Sequence, residues 1–453
     1  MNLPVIGPAA HQRAVDRVQA SYRAIPPGAP IRLAKRTSNL FRPRAQPTAG
    51  LDVSELASVI DIAADSRTAD VQGMCTYERL VEATLGYDLM PLVVPQLKTI
   101  TLGGAITGLG IESSSWRNGL PHESVLEMDI LTGSGEIVTA SADEHSDLFH
   151  AFPNSYGSLG YAVRIRVRLE PVAPFVALRH VPFADLDALM AAVAAIVTSG
   201  SWQGRPVHFV DGVMFSLDEC YLTLGQWAAE GTGSDYTGQQ IYYRSIRERA
   251  ADCLTVHDYL WRWDADWFWC SAAFGAQRPL IRRMWPRHLR RSDVYHRLVG
   301  MENRYGVAAR IQRRRGRPET ERVVQDIEVP LERAAEFLRW FTEEVGMSPV
   351  WLCPLRSRQT WPLYPLAAGV TYINVGFWGT VAIQPGGSDG DVNRTIEAAV
   401  ALFGGHKSLY SDAYYDRDTF AALYGGEQLA AVRDVYDPDG RLSTMFDKVV
   451  GSR

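Results

Sequence analysis

Between Thr101 and Leu131 the chain places Gly103, Gly104, Gly108 and Gly110 ahead of three serines, Ser113, Ser114 and Ser115. Glycines let backbone approach a ligand closely, and clustered N–H groups with hydroxyls suit a diphosphate. The spacing is not the Rossmann dinucleotide fingerprint, because no G-x-G-x-x-G opens a helix after a strand here. A second glycine pair, Gly157 and Gly160, precedes Tyr161 and an alternating strand pattern of Val163, Ile165, Val167 and Leu169. Asp211 and Glu219 in HFVDGVMFSLDECYL, and Asp326 beside Gln325 in VVQDIEVPL, are acids within apolar strand patterns. Burial would raise such a carboxyl's pKa toward that of a proton donor; pairing with an arginine or exposure at a strand edge is the competing reading.

The elements that must position these residues are legible in outline. Ala14, Val15, Val18 and Tyr22 recur at helical spacing over residues 9–23, and Pro26-Pro27-Gly28 ends that helix. Residues 31–41 read as a short strand entering a polar turn, and residues 51–172 as strands with short helices, including a hairpin at TGSGEIV. PVAPF, residues 171–175, marks a boundary. Beyond it, HFVDGVMFSL and VTYINVGFW have strand patterns and ALMAAVAAIV a helical one, while residues 391–453 read as mostly helical. The expectation is an α+β fold with an α+β domain laid over the first one.

A chain of 453 residues can bury large cores in two domains. Its net charge of −5 gives no reason to expect nucleic acid. Five scattered cysteines without a CxxC pair argue for a reducing compartment and against a zinc site. No apolar run is long enough to span a bilayer, and the first residues lack the pattern of a signal peptide, so a cytoplasmic location is expected. Trp261, Trp263, Trp267, Phe268 and Trp269 precede Arg282, Arg283, Arg287, Arg290 and Arg291, and then Arg310, Arg313, Arg314, Arg315 and Arg317. Aromatic rings with basic clusters would suit peripheral contact with the inner membrane surface; core tryptophans beside solvated helix faces are the alternative.

The run from Leu51 to Pro171, with its TLGGAITGLG loop, its hairpin and HSDLFHAFPNSYGSLG, resembles the FAD-binding domain of the vanillyl-alcohol oxidase, or PCMH, type. GIESSSWRNGL, HFVDGVMFSLDE, VVQDIEVPL, SPVWLCPLR and LYSDAYYDRDTF extend the resemblance across the chain to the delta-24 sterol reductase branch. The resemblance implies a two-domain PCMH-type FAD-binding fold, α+β. Its parts would be an FAD-binding domain over 1–173, a substrate or cap domain over 174–403, and a segment over 404–453 returning to the first domain. It implies FAD held by the glycines and serines above with Tyr161, and by Arg36, Thr37, Ser38 and Asn39, which stand where the family has its first diphosphate loop. That loop lacks the histidine which binds flavin covalently in some members, so the FAD is expected to be non-covalent. His406, Lys407, Tyr410, Asp412 and Tyr414 match a segment that lies beside the flavin ring in the family. Lys407 would then offset charge on reduced flavin, and Tyr410, Asp412 or His406 would deliver a proton.

The branch implies NADPH- or NADH-linked reduction of an isolated C=C bond in a lipid, a sterol-like alkene or a 10-methylene fatty acyl chain. A lipid methyltransferase or small membrane protein would be the partner. Two rivals stay open: an alcohol oxidase or dehydrogenase of the same fold, and a non-catalytic flavin-binding subunit.

Overall fold

The computed structural model describes residues 5–34, 50–305, 310, 316 and 318–451. Its first layer is a six-stranded antiparallel sheet of Val59–Ala63 (β1), Thr68–Gln72 (β2), Leu89–Pro91 (β3), Val125–Leu131 (β4), Ile137–Ser141 (β5) and Tyr161–Pro171 (β6), in the order β1-β2-β6-β4-β5 with β3 on the far end of β6. The β6 alternation is that expected of a strand with one buried face: Val163, Ile165, Val167 and Leu169 are all buried. β4 and β5 form the expected hairpin, with Gly135 at φ +90° in its turn. The helix Gly7–Arg23 (α1) buries Ala14, Val15 and Val18 against this layer.

The chain changes sheets between Pro171 and Phe175. The second sheet contains Phe175–Phe183 (β7), Phe209–Ser216 (β10), Glu219–Ala228 (β11), Ala251–Thr255 (β12), Thr320–Pro330 (β13), Val350–Arg356 (β14), Thr371–Ala382 (β15) and His406–Lys407 (β16); Ser201–Trp202 (β8) and Arg205–Pro206 (β9) make a separate hairpin. All its pairings are antiparallel, in the order β12-β7-β11-β10-β14-β15-β13-β16. Side chains of such a sheet alternate between faces. One face is closed by the helices Leu186–Ser199, Leu331–Glu344 and Asp391–Leu402, whose apolar residues pack on Val323, Ile327, Val329, Ile373, Val375 and Phe377. The other face packs with the first layer in one continuous core. That face carries the polar residues Asp211, Asp326, Glu328 and Asn374, and this asymmetry places the site.

Segment 404–453 first adds β16 to the edge of the second sheet and then turns back. Tyr436 accepts a backbone hydrogen bond from Ser134, the Arg441 carbonyl accepts one from Ile31, and Arg441 Nη1 donates to Tyr22 Oη. No helix among the described residues is long and apolar enough to cross a membrane.

Trp261, Trp263, Trp267, Phe268 and Trp269 are all buried, which corrects their reading as a membrane-facing run. Phe268 stacks on Trp263 and Trp378, so the rings fill the space beneath the second sheet. The arginines also divide. Arg282 and Arg290 are buried, Arg291 pairs Glu78 of the first layer in bidentate fashion at 2.8 Å, and Arg283, Arg287 and Arg310 are exposed. Arg313, Arg314, Arg315 and Arg317 lie outside the described residues.

Candidate active site

The glycines of the first wall separate by what surrounds them. Gly103 N–H donates to the Gly73 carbonyl at 2.9 Å, and a Cβ there would stand 2.6 Å from the same oxygen. A Cβ on Gly110 would meet the rings of Pro95 and Pro121 at 2.9 Å, and one on Gly160, at φ +126°, the Leu131 carbonyl at 2.4 Å. These three are demanded by the protein's own packing. Gly108 caps the helix Leu102–Thr107 (α3), and Asn154 Nδ2 donates to its carbonyl. Gly157 lies at φ +75° and its carbonyl accepts from Lys448 Nζ. Gly104 is different: it is exposed in the first turn of α3, and only the capping Thr101 Oγ1 stands within 4 Å of its would-be Cβ, outside its own helix and among the described residues. Its bareness suits a ligand.

The serines need correction. Ser113 Oγ bonds Glu112 Oε1 and Tyr259 Oη, Ser114 Oγ donates to the Leu92 carbonyl, and Ser115 Oγ accepts from Glu112 N–H. All three are buried, so they fasten the loop to its surroundings instead of offering hydroxyls to a diphosphate. Tyr161 packs against the cluster beneath α1, with Lys448 Nζ 5.5 Å from its ring centroid. Arg36, Thr37, Ser38 and Asn39 lie outside the described residues. The neighbours that the glycine pattern did not single out are Asn154 and Ser155. Asn154 Oδ1 and Ser155 Oγ are buried with no partner among the described residues, and Asn154 and Tyr156 hold φ of +61° and +53°. Non-glycine residues in that region store strain that surrounding structure must hold, and such strain clusters at functional sites.

The second wall is the polar face of the second sheet. Tyr410 Oη accepts from Trp378 Nε1 at 2.8 Å and is hydrogen-bonded to Asp326, whose Oδ1 also accepts from Asn374 Nδ2 at 3.1 Å. Burial pushes the Asp326 carboxyl up to about 6 against the pull of these bonds, and pushes the Tyr410 hydroxyl well above its ordinary value. Both side chains keep part of their accessible surface even though desolvation dominates their acidity. Two residues along the strand, Glu328 accepts from Tyr364 Oη, and burial raises it well above the usual carboxyl range. The sequence offered no separate signal for it.

Lys407 and Asp412 of the expected catalytic segment are engaged elsewhere. Lys407 pairs in register with Ile327, whose side chain belongs to the helix-covered face, so Lys407 points there too. Its Nζ bonds Glu397 Oε1 and the Asp412 carbonyl, both at 2.5 Å, which corrects its assignment to the flavin. Asp412 Oδ2 accepts from Arg322 Nη2 at 2.7 Å, so this carboxylate is held in an ion pair and is not placed as the acid. His406 lies between the Tyr364 and Tyr424 rings, and burial lowers its pKa, which opposes a role as a charged donor. Tyr414 N–H donates to Glu397 at 3.1 Å. Of the segment, Tyr410 and, in register with Glu328, His406 are placed on the polar wall by their described contacts.

Asp211 takes the arginine-paired reading. Arg262 Nη2 donates to Glu112 Oε1 at 2.6 Å and to Asp211 Oδ2 at 2.9 Å, and Trp263 and Trp351 donate their Nε1 to the same Asp211 oxygen. Burial pushes Glu112 up while the guanidinium opposes it. Glu219 pairs with Arg247 at the surface.

The two walls meet where Leu409 N–H donates to Tyr156 Oη at 2.9 Å. Ser155 Oγ, next to that tyrosine, and Ser408 Oγ, next to that leucine, are buried with no partner among the described residues, as are Asn154 Oδ1, Ser411 Oγ and Asn374 Oδ1. Each orphaned buried polar atom costs about 1–3 kcal/mol. Several at one junction are what a polar ligand between the layers would satisfy, and the carbonyls, N–H groups and hydroxyls of FAD fit them. The family comparison decides the ligand. A model described as FAD binding domain matches residues 8–141.

The first layer is an FAD binding domain.

This FAD binding domain sits in a chain similar, over most of its length, to proteins named Delta(24)-sterol reductase. The human protein is 27% identical over 79% of this chain and 69% of its own, and that of Arabidopsis thaliana 25% identical over 88% and 76%. Cytokinin dehydrogenase 1 of Oryza sativa subsp. japonica is 31% identical over 34% of this chain and 30% of its own. The chain thus carries an FAD binding domain within the α+β fold the sequence motifs implied, and its similarity to the sterol reductases runs over most of its length. Gly104, Asn154, Ser155 and Ser408 are the described residues best placed to hold the FAD.

Proposed function

We propose that this flavoprotein reduces an isolated C=C bond of a lipid, a sterol-like alkene or a 10-methylene fatty acyl chain, with NADPH or NADH as electron donor. The observation that carries the reading is the Asp326–Tyr410 pair, an acid near neutrality bonded to a tyrosine on the polar wall. An isolated alkene has no carbonyl to stabilise a carbanion, so protonation must lead. A 1,1-disubstituted or trisubstituted alkene then gives a tertiary cation. When bound and reduced by the nicotinamide, FAD would supply the hydride that quenches this cation. Tyr410 Oη gives the proton to the alkene carbon, and protonated Asp326 restores it through their hydrogen bond. Trp378 fixes the tyrosine by donating to its oxygen. Trp269 and Phe268, which pack on Trp378, help exclude water and give the cation a face of π-electron density.

The test is anaerobic. NADPH or NADH should bleach the flavin absorbance, and lipid alkenes should restore it with one saturated product per flavin. Reduction of the flavin by an alcohol, with oxygen consumption and no response to NAD(P)H, would instead establish the alcohol oxidase or dehydrogenase reading. Flavin that neither nicotinamide nor alcohol bleaches would establish the non-catalytic reading.

A further inference from the structure

The short helix Pro279–Met284 is turned inside out. A surface helix ordinarily buries its apolar side chains and exposes its arginines. Here Arg282 is 1% exposed while Leu280 is 78% and Met284 84% exposed. The cause is a set of directed bonds. Arg282 Nη1 and Nη2 take both oxygens of buried Asp266, at 2.7 and 3.0 Å, and its Nε and Nη2 donate to the carbonyls of Gly238, Tyr236 and Gln240. Arg290, also buried, donates to the carbonyls of Gly238, Trp285, Thr237 and Arg282. These two guanidiniums clamp the segment so that Leu280, Ile281, Met284 and Leu289 are presented to solvent.

Presenting large apolar side chains on a clamped scaffold costs stability unless something covers them. The charge around them says what. Residues 278–291 contain six arginines and no acidic residue. Asp266 answers Arg282, Asp235 answers Arg287, and Glu78 answers Arg291. Exposed Arg278 and Arg283, which flank Leu280 and Met284, have no acidic partner within ion-pair distance among the described residues. The next helix, Ser292–Tyr305, continues outward with Arg297, Met301 and Tyr305 at four-residue spacing, all exposed. Apolar side chains flanked by unanswered cations match the interface of an anionic bilayer, where hydrocarbon lies just beneath negative headgroups.

We infer that Pro279–Met284, with Arg278, Arg283 and Leu289, is a docking surface for an anionic lipid membrane. It replaces the buried tryptophans as the point of contact. Beneath it, Phe274 and Trp285 pack on Tyr295, and Cys270, Trp269 and Trp378 lead on to Tyr410. The residues under the surface and those beside the candidate site belong to one continuous core. The inference does not need the proposed reaction, because binding is measured without turnover.

The test is sedimentation of the full-length holoprotein with vesicles of phosphatidylcholine, with and without phosphatidylglycerol. Binding should require phosphatidylglycerol. It should weaken as salt shortens the screening length from about 10 Å at 0.1 M to about 3 Å at 1 M. Leu280→Ser with Met284→Ser should weaken it about tenfold or more. Arg278→Gln with Arg283→Gln should weaken it about thirtyfold, roughly fivefold per charge near the headgroups. Flavin content and NAD(P)H-driven bleaching of both variants should match the parent, which separates loss of docking from loss of fold or chemistry. Failure to sediment with anionic vesicles at low salt would overturn the inference, as would binding indifferent to both pairs of substitutions. Self-association in vesicle-free solution that Leu280→Ser with Met284→Ser abolishes would overturn it too, by assigning the surface to a second copy of the chain.

Discussion

Replacing Arg262 by methionine tests the arrangement that joins the two layers. The guanidinium is fully buried, and its partners Glu112 and Asp211 expose only 4% and 2% of their side chains. Methionine keeps much of the volume over the Tyr259 ring, which the guanidinium carbon approaches to 4.1 Å, so little of the effect is a cavity. What is lost is the cation between two buried carboxylates. Breaking a buried pair by removing one partner costs about 3–5 kcal/mol, a large part of the roughly 5–15 kcal/mol that holds a typical protein folded. Urea unfolding followed by tryptophan fluorescence, with Trp263 and Trp351 bonded to Asp211 as reporters, should show that loss at pH 8. The sign with pH is fixed. Burial already raises the Glu112 carboxyl above its ordinary value with Arg262 opposing, and without Arg262 it rises further, so the variant gains stability relative to the parent as pH falls and loses it as pH rises through the raised value. Adding Glu112→Gln and Asp211→Asn should restore most of the deficit at pH 8. A single variant within about 1 kcal/mol of the parent at pH 8, or a deficit that deepens on acidification, would refute the reasoning.

Tyr410→Phe should slow alkene reduction in single turnover by about two to four orders of magnitude, the usual share of a general acid, while NAD(P)H still bleaches the flavin. In the parent that alkene step should fall about tenfold per pH unit above about 6, where Asp326 loses its proton, and Asp326→Asn should be slow and flat across that range. Gly160→Ala should cost stability and flavin occupancy together, since the residue lies at φ +126° with its added Cβ 2.4 Å from the Leu131 carbonyl; Gly104→Val should cost flavin occupancy with far less effect on the melting temperature. Acid precipitation should release the flavin into the supernatant, and colour retained in the pellet would contradict non-covalent binding.

Period-two and helical patterns made β6, the β4–β5 hairpin and the helix Leu186–Ser199 legible, because each depends on neighbours in sequence. The motifs made the FAD binding domain legible as well. Lys407 was not, because its direction is set by a register: opposite Ile327 it faces the helices, and one residue of slip would have turned it to the site. The serines and Asp211 were misjudged or left open for a related reason. Their partners, Tyr259 and Arg262, lie 146 and 51 residues away and could not be paired from spacing. The tryptophan run reads the same by composition whether it lies against lipid or core, and only burial separates the two.

The closure of the first layer by Tyr436, Arg441 and Lys448 has a consequence for how the molecule is made. A ribosome finishes β6 long before it reaches Arg441, and at about 5–20 residues per second the interval is on the order of tens of seconds. During that time the FAD binding domain has every strand of its sheet but lacks the clasp on the β4–β5 turn, the bond from Ile31 to Arg441 and the lysine that holds the Gly157 carbonyl. Tight flavin retention is thus expected only once Arg441 and Lys448 have joined the first layer. The layer that bears the cofactor is made well before the segment that closes it.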